Sequence, residues 1–410
     1  MESMVDFAYR SVPLWRDVFD KAGVKPGQIR TRADLARLPL SSKKTLLERP
    51  VKDRVGIAES DCVKMSTSGT TGGPMPVFYS KKFYDYGNVM VQFWVRGRQG
   101  ASAFSKNAMI TYDARAHASR ETEARPLPVR RGNVLGALTP VAGRVYDAQT
   151  RRFFISNSVE EILPGMIEFR PGRITGSPAY LRLLADAVKS RHETRLRPRS
   201  VLTLGEPLDG PTRAHIEEAF GCNVFDGYGC NETWVIATEC SHKTLHVWTD
   251  SVIVEVLKDG RQARPGEEGD IYVTTLRNEA MPLFRYDMGD RGVAGDSTCP
   301  CGWRTPTLKS VEGRRVDYVS ASDGRPVSPK RVSTLMNAVT GMPRCQLVEV
   351  SGSQFVLRVF GGNEDAERSL IESLQKELGD VTIRVSHEKP DALGIKFRPV
   401  VSHVAASSPR

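Results

Sequence analysis

Ser66-Thr67-Ser68-Gly69-Thr70-Thr71-Gly72-Gly73-Pro74 consists of hydroxyl residues and glycines, closed by a proline. No side chain in it is bulky enough to pack. It offers backbone N–H groups and hydroxyls instead, the donors that glycine-rich loops present to phosphates. It is not the common Walker-type loop, because no Lys-Ser or Lys-Thr follows its last glycine. A flexible Ser/Gly linker is the plain alternative. Against that, apolar residues flank the stretch on both sides: Val63 and Met65 before it, Met75, Val77, Phe78 and Tyr79 after it.

The chain has 410 residues, enough to bury a large core in two or three structural units. Its composition, 40% apolar and 26% charged, is that of a globular protein. The apolar runs fall far short of the roughly 18 residues that a membrane span needs. Met1-Glu2-Ser3-Met4-Val5-Asp6 lacks the basic and apolar regions of a signal peptide, so a cytoplasmic protein is expected. The net charge is +10, from 58 basic and 48 acidic residues. The arginines are scattered and no nucleic-acid-binding motif is present, so small polyanions such as ATP or coenzyme A account for the basic balance better than nucleic acid does. Seven cysteines without a secretory signal do not suggest a disulfide framework. Cys62, Cys222 and Cys345 lie in apolar, strand-like surroundings and read as core thiols, and Cys230 has no base partner in the sequence.

The first 50 residues read as short helices broken by prolines, with Phe7, Val12, Leu14, Trp15, Val18 and Phe19 forming an apolar stripe. From about 80 to 220, strand-like runs (107–112, 152–155, 173–176, 201–204) alternate with helix-like ones (159–163, 179–189). That alternation predicts a mainly parallel sheet covered on both faces, with ligands at the carboxyl ends of its strands. Short runs at 252–257, 269–275, 283–286 and 291–293 predict a small β-barrel or distorted sheet appended to it. The last 95 or so residues read as a small α+β unit, with strands near 346–350, 355–360 and 381–385 and a helix over 364–378. The fold class is therefore α/β, with domains at 1–312 and 313–410.

The loop at 66–74 resembles the phosphate loop of adenylate-forming enzymes, the superfamily of acyl-CoA synthetases and adenylation domains. Further motifs follow in that family's order. The order Val12-Pro13, Ala22-Gly23-Val24, Asp34-Leu35, Leu38-Pro39 and Ser42-Lys43 is similar to the opening of its phenylacetate–CoA ligase branch. Gly205-Glu206-Pro207 resembles the turn that lines adenine. Phe225-Asp226-Gly227-Tyr228-Gly229-Cys230-Asn231-Glu232 resembles the aromatic-Gly-x-Thr-Glu motif, with Asn231 in place of Thr. The resemblance puts Tyr228 and Gly229 near adenine, Asp226 at the adenine amino group, and Glu232 on Mg²⁺, a hard cation that suits carboxylate and phosphate oxygens.

Arg285-Tyr286-Asp287-Met288-Gly289-Asp290 resembles the segment whose last Asp, here Asp290, holds the ribose hydroxyls. Gly313-Arg314-Arg315-Val316-Asp317 resembles the hinge about which the small domain rotates, with Arg314 on ribose or phosphate. Lys396, in Gly394-Ile395-Lys396, stands where the family carries its adenylation lysine. The resemblance assigns the phosphates to Ser66, Thr67, Ser68, Gly69, Thr70, Thr71 and Gly72. Thr67 and Thr70 join Lys396 and Glu232 in the catalytic set. Candidates for the acid pocket are Tyr112, Tyr180 and Trp234.

Cys240, His242, His246, Cys299 and Cys301 offer soft metal ligands on short loops. Cys₃His is a closed structural zinc set. Some relatives in this branch carry a similar clip, which favours Cys240, His246, Cys299 and Cys301, with His242 as the substitute histidine.

The resemblance implies an AMP-forming ligase for an aromatic or arylacetic acid, using ATP and Mg²⁺, with coenzyme A as the acceptor. The alternatives are a carrier-protein phosphopantetheine or an amine as acceptor, adenylylation of a deazaflavin cofactor, and a nucleotide-binding paralogue without catalysis. Partners would be the small-molecule acid, an acyl-carrier protein, and a second copy in a homodimer; nucleic acid and membrane are not expected.

Overall fold

The computed structural model describes residues 1–67, 75–87, 92–100, 102, 105–111, 148–342, 344–388 and 398–404. Ser68, Gly69, Thr70, Thr71, Gly72, Tyr112 and Lys396 lie outside the described residues.

Among the described residues, one sheet of 12 strands organises the larger part of the molecule. Thr150–Phe154, Asn107–Thr111, Arg173–Gly176, Ser200–Leu204 and Asn223–Cys230 lie side by side and parallel. The inner strands read as apolar runs, as Val201 and Leu202 do, and the helices Val159–Phe169, Pro178–Ser190 and Gly210–Phe220 pack on them in one apolar cluster. The helix Pro178–Ser190 shows how these covers form. Ser177 caps it by accepting from the Tyr180 N–H, and Pro178 presets its first turn. Leu181, Leu184, Ala185 and Val188 then share the face turned to the core. Asp209 caps the next helix, Gly210–Phe220, in the same way, accepting from the Thr212 N–H at 2.8 Å.

After Asn223–Cys230 the sheet turns antiparallel. It continues through Trp234–Glu239, Leu245–Val247, Thr307–Arg314, Tyr286–Ala294, Glu268–Thr275, Val252–Lys258 and Arg261–Gln262. Of the small barrel or distorted sheet expected here, the structure forms the distorted sheet, continuous with the main one, and among the described strands no ladder closes a barrel. Register shifts at Asp270/Tyr272, Arg291/Gly292 and Val293/Ala294 bend these strands, which gives the short, interrupted runs seen in the sequence. The run expected at 291–293 and the end of the one at 283–286 belong to one strand, Tyr286–Ala294, whose ladder skips Met288 and Gly289 at the register shift opposite Asp270/Tyr272.

The N-terminal helices Glu2–Ser11 and Pro13–Lys21 pack on the chain just before that strand. Trp15 meets Phe284 edge-on at 5.0 Å and donates from Nε1 to the Pro282 carbonyl at 2.8 Å. The Ser41 hydroxyl donates to the Phe284 carbonyl at 2.7 Å.

A further apolar cluster is drawn from Val319 to Val400. It lies under a four-stranded sheet in the order Thr382–His387, Gln354–Val359, Cys345–Ser351, Val400–Ser402. The helix Glu364–Leu378 buries Leu370, Leu374 and Leu378 against it, each contributing about 1.5–3 kcal/mol over exposure. The expected boundary after residue 312 falls within the strand Thr307–Arg314. Among the described residues no helix is long and apolar enough to cross a membrane.

Candidate active site

The candidate residues gather where the parallel strands end and the sheet changes direction, the place where open α/β sheets hold ligands. Gly205 follows the strand Ser200–Leu204 at φ 88°, a conformation open to glycine, and turns the chain into Glu206-Pro207. Glu206 does not stand free in the cleft. Its Oε2 accepts from the Ala179 N–H at 3.2 Å, in the first turn of Pro178–Ser190. Burial holds its carboxyl above the usual range, with Arg344 pulling the other way. Pro207 packs beside Gly313, within 3.5 Å of where a Cβ there would stand.

Asp226 lies next on the strand Asn223–Cys230. Its Oδ1 accepts from the Thr203 hydroxyl at 2.7 Å and the Gly227 N–H at 3.0 Å. Burial and the nearby Glu239 carboxylate push its carboxyl up to about 7. Tyr228 is buried and donates to Asp290 Oδ2 at 2.8 Å, so the two segments that the resemblance assigns to adenine and ribose meet directly. Arg314 Nε lies 3.8 Å from Asp290 Oδ1, across the pairing of Tyr286–Ala294 with Thr307–Arg314. Burial raises the Asp290 carboxyl, opposed by Arg314 and the Tyr228 hydrogen bond.

Gly229 is required by close approach: a Cβ there would meet the Trp234 carbonyl oxygen at 2.3 Å. Asn231 Nδ2 donates to the Ser66 carbonyl at 2.8 Å, tying this motif to the start of the hydroxyl-rich loop. Tyr79, from the strand on the far side of that loop, donates from its hydroxyl to the Asn231 carbonyl. The loop is closed at its base by Thr67 and Met75. Thr67 N–H donates to the Met75 carbonyl, and Met75 N–H donates to Thr67 Oγ1, both at 2.9 Å. Glu232 is half-buried, and its charge is felt at Tyr79, Cys230, Tyr286 and Asp290. No described cation forms an ion pair with it, which leaves a hard carboxylate suited to a Mg²⁺ ion shared with phosphates.

The acid-pocket candidates do not converge. Trp234, at φ 65°, packs edge-on against Tyr79 at 5.7 Å and Tyr84 at 5.6 Å. Tyr180 packs with another apolar cluster, and its hydroxyl donates to the Asn157 carbonyl at 2.7 Å.

Cys240, His246, Cys299 and Cys301 come together, each offering one ligand atom, with all four atoms within 4.8 Å of one another. His242 is outside this set. Cys240 and Cys299 sulfurs are 3.7 Å apart, close to the roughly 3.8 Å spanned by two thiolates on one tetrahedral zinc with arms of about 2.3 Å. His246 Nε2 lies 3.3 Å from Cys301 Sγ, while its Nδ1 is occupied by Thr305 Oγ1 at 3.1 Å, an outer contact that fixes which nitrogen faces the cluster. Trp303 stacks edge-on against His246 at 5.2 Å and carries the Arg98 guanidinium over its ring at 3.6 Å. The donor set fits a structural metal ion.

Sequence reasoning did not single out Tyr79, Thr203, Arg213 or Glu239. The signal for Glu239 was available: a carboxylate at the end of the apolar run Val235–Thr238, just before Cys240.

No family model matches this chain. Three curated proteins, each a phenylacetate-coenzyme A ligase, are similar to it. That of Thermus thermophilus is 26% identical over 378 residues, 90% of this chain and 78% of the relative. Those of Aromatoleum evansii and Escherichia coli are each 26% identical, over 302 and 303 residues, and the chain spans 63% of each. Among solved structures, a 2-hydroxyisobutyryl-CoA ligase in the postadenylation state with 2-HIB-AMP aligns with a TM-score of 0.79 at 18% identity, over 98% of this chain and 87% of that one. The same ligase in the thioesterification state, with 2-HIB-AMP and CoA, gives 0.64 at 20% identity, over 98% and 87%. The Bacillus subtilis O-succinylbenzoate coenzyme A synthetase with AMP gives 0.54 at 18%, over 82% and 67%.

Proposed function

We propose that this chain, a homologue of the phenylacetate–coenzyme A ligases built on the adenylate-forming fold, is an AMP-forming acid–thiol ligase. In the first step a carboxylate oxygen of the acid attacks the α-phosphorus of ATP, and the bond to pyrophosphate breaks. In the second step a thiol sulfur attacks the acyl carbon, and the bond to AMP breaks. The relatives suggest an aromatic or arylacetic acid and coenzyme A. A carrier-protein phosphopantetheine would present the same thiol chemistry.

Ser66, Thr67, Ser68, Gly69, Thr70, Thr71 and Gly72 supply phosphate donors, with Thr67 and Thr70 nearest the reaction. Asp226, Tyr228, Gly229 and the Gly205-Glu206-Pro207 turn receive adenine, and Asp290 with Arg314 receives the ribose. Glu232 and Asn231 lie on the phosphate side. Lys396 brings a cation to the carboxylate and α-phosphate, where charge shifts during attack. Mg²⁺ held by Glu232 supplies neutralisation of phosphate charge. Trp234 and Tyr180 remain the pocket candidates among the described residues. Residues 1–312 form the body and 313–410 the lid, hinged near Arg314–Asp317. Cys240, His246, Cys299 and Cys301 hold a structural Zn²⁺ that braces the loops beside Glu232 and Asp290.

The observation that carries this reading is convergence. The Asn231–Ser66 and Tyr228–Asp290 hydrogen bonds, each 2.8 Å, draw motifs near residues 66, 230 and 290 to one place at the ends of the parallel strands. The test is pyrophosphate release from ATP and Mg²⁺ across a panel of aryl and arylacetic acids, with Glu232→Ala as the control. Release that needs both the acid and Glu232 supports adenylation. Release that ignores either one removes the proposal.

A further inference from the structure

Glu239 is buried at the end of the strand Trp234–Glu239, one residue before the cysteine cluster, yet it is neither a cluster ligand nor a surface charge. Arg213, on the helix Gly210–Phe220, grips it with both ends of its guanidinium, Nη2 to Oε1 at 2.6 Å and Nη1 to Oε2 at 3.0 Å. The same Nη1 also donates to the Val224 carbonyl at 2.6 Å. From the other side, Gln99 Nε2 donates to the Glu239 carbonyl at 2.9 Å, and Arg173 Nη2 holds Gln99 Oε1 at 2.6 Å. Glu239 is therefore held by Arg213 through its carboxylate and by Gln99 through its carbonyl, with Arg173 behind Gln99.

With both its oxygens engaged by Arg213, Glu239 makes one outward bond. Its Oε2 accepts the Asp226 backbone N–H at 2.8 Å. The ladder between Asn223–Cys230 and Trp234–Glu239 is regular at Gly227↔Thr238. One step further, the Glu239 side chain takes the place of a backbone acceptor. Thr203, from the opposite neighbour, holds Asp226 Oδ1 at 2.7 Å. Asp226 is thus seated between two strands, with no donor to its Oδ2 among the described residues. A carboxylate oxygen held in this way suits an exocyclic amine. Arg213 and Lys330 are the cations that act on Asp226, and Glu239 is the anion.

We propose that Glu239, clamped by Arg213, is a positioning residue that sets the orientation of Asp226 and thereby the preference for adenine over purines lacking the 6-amino group. This rests on the reading of Asp226 as the residue facing the adenine amino group. A purely structural role for Glu239 would weaken all nucleotides alike. A positioning role weakens only those that carry the amine.

The test is calorimetric binding of AMP and of inosine monophosphate, which differ only in the group at position 6 and the proton at N1, to the wild-type chain and to Glu239→Gln, Arg213→Gln and Asp226→Ala. Binding needs no knowledge of the acid. The wild type should favour AMP by about tenfold or more, the scale of one hydrogen bond to a charged group. Glu239→Gln should lose most of that preference by weakening AMP, with inosine monophosphate changed less than about threefold. Arg213→Gln gives the same readout from the more exposed side of the clamp if Glu239→Gln does not fold. Asp226→Ala separates the two layers of the argument. If it keeps the preference for AMP, the reading of Asp226 fails. If it loses the preference while folded Glu239→Gln or Arg213→Gln keeps it, the role of Glu239 is overturned.

Discussion

The Tyr228 hydroxyl donates to Asp290 Oδ2 at 2.8 Å, joining two motifs 62 residues apart across the point where the sheet turns antiparallel. Tyr228 is buried and Asp290 half-buried. The bond favours the charged form of Asp290 in surroundings that otherwise raise its pKa.

Tyr228→Phe therefore removes a donor while keeping the ring. The KM for ATP should rise roughly threefold to tenfold, with kcat changed less, and stability should fall by about 1 kcal/mol. Steady-state kinetics beside urea unfolding checks this, and an unchanged KM would remove Asp290 from the nucleotide site.

Asp226 sets a pH dependence of stability. Its carboxyl lies at about 7 in the folded chain, against about 3.9 when unfolded. Between those values the folded chain binds a proton that the unfolded chain releases, so this contribution is complete at low pH and is lost as pH rises toward 7. Asp226→Asn removes the titration, so its stability relative to wild type should rise from about pH 4 to about pH 7 and stay level above that. Urea midpoints across that range decide it; parallel curves for the two proteins would contradict the burial of this carboxyl.

Asn231→Ala cuts the tie to the Ser66 carbonyl at the start of the hydroxyl-rich loop. Catalysis should suffer more than binding: kcat falls about tenfold while AMP affinity stays within about threefold. A loss confined to affinity would place Asn231 on the nucleoside rather than on the loop.

The cysteine cluster predicts about one zinc per purified chain, absent in Cys299→Ser. Its removal should lower the melting temperature, because His246 and the three thiols would then sit in a closed site with no ion to hold them. Elemental analysis after metal-replete expression showing no zinc would contradict the clip.

Much of this was legible in the sequence, and the reasons differ by element. The helix Glu364–Leu378 and the strand Arg173–Gly176 stand where periodicity placed them, since cap and apolar spacing agree locally. Residue type alone narrowed the soft ligands to Cys240, His242, His246, Cys299 and Cys301, and the resemblance chose His246 over His242, the set that comes together here. Partners set by tertiary contact were hidden. Nothing near Glu206 in sequence says that it turns to the Ala179 N–H, nor near Glu239 that Arg213 meets it from another helix. The open antiparallel extension was hidden as well, because bulges break a strand's alternation while its ladder continues.

The central claim is a two-step ligation through an acyl-adenylate. Its most direct test is mass spectrometry of reactions holding ATP, Mg²⁺ and the best acid of the panel, with and without coenzyme A. The account predicts the acyl-adenylate and pyrophosphate without coenzyme A, and AMP with the acyl-CoA thioester when it is added. ADP and phosphate in place of AMP and pyrophosphate, or no acid-dependent product across the panel, would contradict it.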